Sequence, residues 1–211
     1  MLLFVNRLFL QMLLSYDIFM ALVVFAFVTS ITPGPNNLML LASGVNFGFR
    51  RTIPHMLGIG VGFLTLLLGV GYGLGAVLET APMLYLALKF AGGAYMLYLA
   101  YKIATSTSVG SVTDSAAKPM SFMQALLFQW VNPKAWVMAV TAMASYTVHD
   151  AYTLSVLVIG TVFAIINLPS VSSWAAFGSL LRQWLEDPVR LKWFNLTMAL
   201  LLVASLWPML R

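Results

Sequence analysis

Two short stretches carry residue types suited to holding a small polar molecule: Thr32-Pro33-Gly34-Pro35-Asn36-Asn37 and Asn132-Pro133-Lys134. Each sets proline and asparagine inside an otherwise apolar run. Proline has no N–H, so Pro33 and Pro35 deprive the carbonyls of Thr29 and Ile31 of their i+4 donors, and Pro133 does the same to Gln129. Freed carbonyls attract a cation, while a helix restarting near Asn36 offers free N–H groups and a positive dipole end to an anion. The chemistry implied is capture of a molecule bearing both charges, such as an amino acid. Lys134 sharpens this expectation, because all six acidic residues lie in tails, loops or span ends. With no intramembrane carboxylate to pair with it, a substrate carboxylate is its expected counterion. A third interruption, Asn167-Leu168-Pro169-Ser170, frees the carbonyl of Ile165 by the same logic and makes Asn167 a further candidate for lining the path.

Bond-making chemistry is poorly supplied. The chain has no cysteine and only two histidines, His55 and His149, both near span ends. Neither a nucleophile–base pair nor a metal-ligand cluster is visible, so no cofactor and no metal are expected. By position His55 reads as an interfacial residue, with proton handling, shared with Lys134, as its alternative role. The basic residues are scattered between apolar runs, unlike the clustered stripe that nucleic acid requires.

The elements that must position these residues are membrane helices. Of 211 residues, 61% are hydrophobic and 8% charged, against about 25% charged in a soluble domain, and the mean hydropathy is +0.93. The partner is therefore a lipid bilayer. Six apolar runs reach the roughly 20 residues a crossing needs: about 18–42, 56–78, 83–101, 121–146, 152–177 and 193–210. Arg50, Arg51, Lys102, Lys118, Arg182, Arg190 and Lys192 fall in the first, third and fifth connections, whereas only Arg7 and Arg211 lie on the opposite side. The positive-inside rule then puts both termini outside. Residues 1–16 read as an N-terminal extension, with Met12 and Met20 as rival starts. Residues 106–120 form a polar cytoplasmic linker between a first three-helix half, 17–105, and a second, 121–211.

Three spans per half turn the second half upside down relative to the first. The expected fold is thus an all-α membrane protein of six transmembrane helices, two inverted three-helix repeats with broken first and fourth helices. Paired breaks of this kind mark a transporter site near the bilayer midplane, with access alternating as the halves rock. The glycines of the second span, Gly58, Gly60 and Gly62 among them, are expected to serve close helix packing, part of it between protomers of a homodimer. A structural or accessory membrane subunit and a passive channel are the competing classes.

Across "TPGPNNLMLLASGVNFGFRRTIPHMLGIGVGF", "GGAYMLYLAYKIA" and "QWVNPKAW" the chain resembles the LysE/RhtB family of bacterial amino-acid exporters. The resemblance extends over nearly everything after about Met20. It implies a six-helix inner-membrane protein that exports amino acids or close derivatives, driven by the proton gradient. Thr32 to Asn37 then match the family's first broken helix and Asn132 to Lys134 its second. The stretch "SSWAAFGSLLRQWL" looks most like the branch exporting cysteine and O-acetylserine.

Overall fold

The computed structural model describes residues 16–75, 80–106 and 118–207, and among them there are eight α-helices and no strand. The expected extension and most of the linker lie outside the described residues. Helix α1, Tyr16–Ile31, is predominantly apolar and has Asp17 at its positive end. Its last regular bond runs from Thr32 N to Val28 O, 3.1 Å. Pro33 cannot donate the next one, and the chain restarts at α2, Pro35–Phe47, where a proline at the first position forfeits only an N–H that has no helical partner. The two helices meet at 52°.

Helix α2 is the central rod. Asn37 to Asn46 are buried without exception, and a helix buried on all sides has no amphipathic face to display. It ends at Gly48, whose φ of 79° is a conformation that favours glycine. Helix α3, Phe49–Gly69, runs on into a wider turn at Val70–Leu74, where the Tyr152 hydroxyl donates to Gly71 O at 2.6 Å. Helix α4 spans Pro82–Ala104.

A second helix–break–helix follows. Helix α5, Phe122–Gln129, starts with a capping box in which Ser121 accepts from Gln124 N while the Gln124 side chain accepts from Ser121 N. Trp130–Asn132 interrupts it. Helix α6, Pro133–Tyr146, then restarts with proline at its first position and Asn132 as the cap, its Oδ1 accepting from Lys134 N at 3.2 Å. Helix α7 is Tyr152–Leu181, and α8, Pro188–Ala204, is capped by Asp187.

The expected break at Pro169 is absent: α7 runs unbroken for 30 residues. One proline removes one bond, here that to Ile165 O, and the helix continues on both sides of it, with the Ser170 hydroxyl donating to Ile166 O at 2.7 Å. Helix α3 begins seven residues before the expected span, and α8 five, because hydropathy marks the apolar stretch while the helix itself continues through the flanking Arg50 and Arg51, or Arg190 and Lys192.

The main core joins α1, α3, α6 and α7 around Phe63 and Phe163, whose rings meet edge to face with centroids 5.3 Å apart. A second cluster, Met39, Met96, Phe128 and Leu202, joins α2, α4, α5 and α8. Outside, large apolar side chains such as Phe27, Val61, Phe90, Val137, Ile165 and Leu200 are exposed, a surface suited to hydrocarbon. Phe49–Leu74 and His149–Leu181 are each long and apolar enough to cross a membrane, and α1 with α2 passes as a bent pair.

Candidate functional site

The two breaks meet. The Lys134 ammonium donates to Thr32 O at 2.7 Å and to Thr32 Oγ1 at 3.1 Å, and lies 3.5 Å from Pro33 O. It reaches there because Gly34 has no side chain: a Cβ at that position would sit 2.6 Å from Lys134 Cδ and 3.1 Å from Nζ. Asn36, in the first turn of α2, exchanges two hydrogen bonds with Gln129 at the end of α5, at 2.8 and 3.1 Å. The Gln129 side chain is fully buried, and its amide also donates to Ala125 O.

The other strained carbonyls find side-chain donors as well. Asn37 Nδ2 donates to Ser30 O and Thr32 O, both at 2.8 Å. The Trp174 indole of α7 donates to Ile31 O at 3.0 Å, replacing the N–H that Pro35 lacks. Thr32 Oγ1 lies 3.1 Å from Thr29 O, the carbonyl freed by Pro33, and Asn132 N donates to Gln129 O at 3.3 Å. In this conformation Trp174 donates to the freed carbonyl of Ile31, and Lys134 and Asn37 to the carbonyl of Thr32 beside it, so protein groups supply donors around the break.

Two polar atoms remain over. Asn37 Oδ1 and Asn167 Oδ1 are buried with no hydrogen-bond partner, while Asn167 Nδ2 donates to Ser30 Oγ at 3.1 Å. Both residues line a cavity of about 20 Å³ together with Thr29, Gly34, Asn132 and Lys134, walled on its apolar side by Phe63, Ala135, Met138 and Val171. That volume holds about one water. The site thus combines one cation with buried acceptors. The described residues contain no group of three His, Cys, Asp or Glu that could hold a metal ion.

Of the sequence candidates, Thr32, Pro33, Gly34, Pro35, Asn36, Asn37, Asn132, Pro133, Lys134 and Asn167 come together here. His55 does not. It is 2% exposed and has neither ring nitrogen partnered, so it lies inside the helix packing and not on the outer surface. It walls a separate, larger cavity. The close packing of α3 explains this: Gly58 and Gly62 let the backbone of α5 approach at Phe122 and Leu126, and His55 is drawn inside with them. Sequence reasoning missed Gln129 as a side chain, Ser30 and Trp174. A glutamine in mid-span was a usable signal for the first; the other two act across helices remote in sequence.

Against known proteins, residues 27–205 match the family described as LysE type translocator. The chain belongs to that family. Cysteine/O-acetylserine efflux proteins of Escherichia coli (strain K12), Escherichia coli O9:H4 (strain HS) and Shigella flexneri serotype 5b (strain 8401) are each 33% identical to it over 183 residues, covering 85% of this chain and 90% of the relative. No solved structure matches. A LysE type translocator built of helices this apolar is a bacterial inner-membrane protein, and the family and these relatives are described as transporters, not enzymes.

Proposed function

We propose that this LysE type translocator is a secondary transporter that exports small amino acids or close derivatives from the cytoplasm, driven by the proton gradient, with its binding site where the two breaks meet. The observation that carries the reading is the Lys134 ammonium seated on the carbonyls of the opposite break, 2.7 Å from Thr32 O. A carboxylate arriving there finds a cation. The ammonium of the same molecule finds the carbonyls of Thr32 and Pro33 and the unpartnered Oδ1 atoms of Asn37 and Asn167. Binding is then an exchange in which Lys134 turns to the substrate carboxylate and the substrate ammonium takes its place. One cation replaces another, so the carbonyls keep a donor throughout the exchange.

The relatives described as cysteine/O-acetylserine efflux proteins support a substrate with a short side chain, as does the apolar wall of Phe63, Ala135, Met138 and Val171. Lys134 is the titratable side chain among the residues lining this cavity, so a proton carried through the site is carried there. A cavity that holds about one water must widen to admit an amino acid, and the breaks are the places where the backbone can yield. The pairing of α1 with α7 and of α5 with α3, together with the contacts α3–α7 and α4–α8, fits a two-fold axis between upside-down halves, although α2 packs on α7 far more extensively than α6 on α3. It supports six spans in two inverted repeats, and the basic residues of the connections support both termini outside.

The test is efflux from cells fed dipeptides across all amino acids. Cells lacking the protein should retain one or a few small amino acids. Lys134→Ala should abolish export while inserting normally, and saturable flux in proteoliposomes should follow an imposed pH gradient. Normal export by a well-inserted Lys134→Ala variant would remove the lysine from the mechanism.

A further inference from the structure

The larger cavity, about 290 Å³, lies between the C-terminal half of α2, the start of α3 and the end of α4, and has no role in the exchange described above. Its α2 wall is the stripe Met39, Ala42, Ser43, Asn46 and Phe47, the i, i+3, i+4, i+7, i+8 face of one helix. Two ammonium groups, Lys102 and Lys118, stand at its exposed mouth, and no acidic side chain is among its described lining residues. Lys102 lies 5.8 Å from the centre of the Tyr98 ring. The floor is buried and polar. Asn46 is fully engaged, donating to Ala42 O and Asn195 Oδ1 and accepting from the Ser106 hydroxyl. His55 is not: both its ring nitrogens are unpartnered in a side chain only 2% exposed. A buried imidazole without partners is a standing cost that a ligand group relieves.

The geometry points to a second ligand site in this cavity, one that takes the carboxylate of a small amino acid at Lys102 and Lys118 and its polar groups toward His55. Resting on the exporter reading and its orientation, this is a waiting site on the cytoplasmic side. The two sites share one rod: Asn37 of the first and Asn46 of the second are nine residues apart on α2, about 13 Å at 1.5 Å per residue.

The experiment uses the full chain in phosphatidylcholine nanodiscs, with O-acetylserine as the probe. Only two histidines are present, so ¹⁵N-histidine labelling with His149→Gln isolates the His55 ring signal. In the Lys134→Ala background, which disables the first site, O-acetylserine should shift the His55 resonances saturably. Adding Lys102→Ala and Lys118→Ala, both at exposed positions, should weaken that response about tenfold or more, the loss of a charge-assisted contact. A silent His55, or a shift indifferent to the two lysines, overturns the proposal. So does the same shift produced by phosphatidylglycerol and no longer by O-acetylserine, which would assign the cavity to a lipid headgroup. If the wild-type protein exports while His55 stays silent, only this inference fails; if His55 responds but nothing is exported, the exporter reading fails instead.

Discussion

Gly34→Ala tests whether the position of one ammonium group governs transport. Gly34 has an extended backbone that alanine adopts without strain, with φ −173° and ψ 179°, so the substitution acts through space and not through the chain. The added methyl would lie 2.6 Å from Lys134 Cδ and 3.1 Å from its Nζ. The side chain must swing away and give up its bonds to Thr32 O and Oγ1. Hydrogen bonds to charged groups contribute about 1.5–3 kcal/mol net, and a half-buried lysine belongs at the lower end. Those bonds hold Lys134 in the resting state and are given up when substrate binds, so at 1.4 kcal/mol per factor of ten their loss should raise kcat/KM for export about tenfold. Flux into everted vesicles measures this, with membrane insertion checked by immunoblot. A double-mutant cycle read by thermal unfolding sharpens the test: Gly34→Ala should cost no stability in the Lys134→Ala background, because both act on the same group. Unchanged export by Gly34→Ala, or effects that simply add, would refute the reasoning.

Other perturbations probe the braces around the site. Asn36→Ala leaves the buried Gln129 with only Ala125 O and a long contact from Asn132, and Gln129→Ala removes the partner of the half-buried Asn36, so each variant should lose about 1 kcal/mol and the double variant less than the sum; thermal unfolding in detergent reads both. Trp174→Phe should leave Ile31 O without its donor and lower Tm by about 2–4 °C per kcal/mol lost. A methyl at Gly178 would enter the Leu41 carbonyl, so Gly178→Ala should abolish monodisperse protein on size-exclusion chromatography. Gly60→Ala, whose nearest neighbour is Leu168 Cδ1 at 3.7 Å, should elute as the wild type.

Both breaks were legible in the sequence because proline's missing N–H is a local fact that no tertiary context repairs. The presence of Asn36, Asn37 and Lys134 beside those breaks was legible for the same reason. What satisfies the freed carbonyls was not, since Trp174 lies 143 residues from Ile31 and the Lys134 ammonium comes 102 residues to meet Thr32. The burial of His55 was not legible, because distance along a span says nothing about which face of the helix a neighbour covers. Pro169 was overread because a lone proline within a well-packed helix can leave its axis intact.

The glycine contacts bear on how such a molecule could move. Gly44 receives the Ala175 carbonyl of α7, and Gly178 receives the Leu41 carbonyl of α2, a reciprocal notch in which slipping either helix along the other would drive a side chain into backbone. Gly58 and Gly62 receive α5 at Phe122 and Leu126 in the same manner. Each fastening ties a helix from before residue 106 to one from after it. The chain is therefore cross-laced, its early helices notched into its late ones at glycines where neither backbone can be displaced without the other.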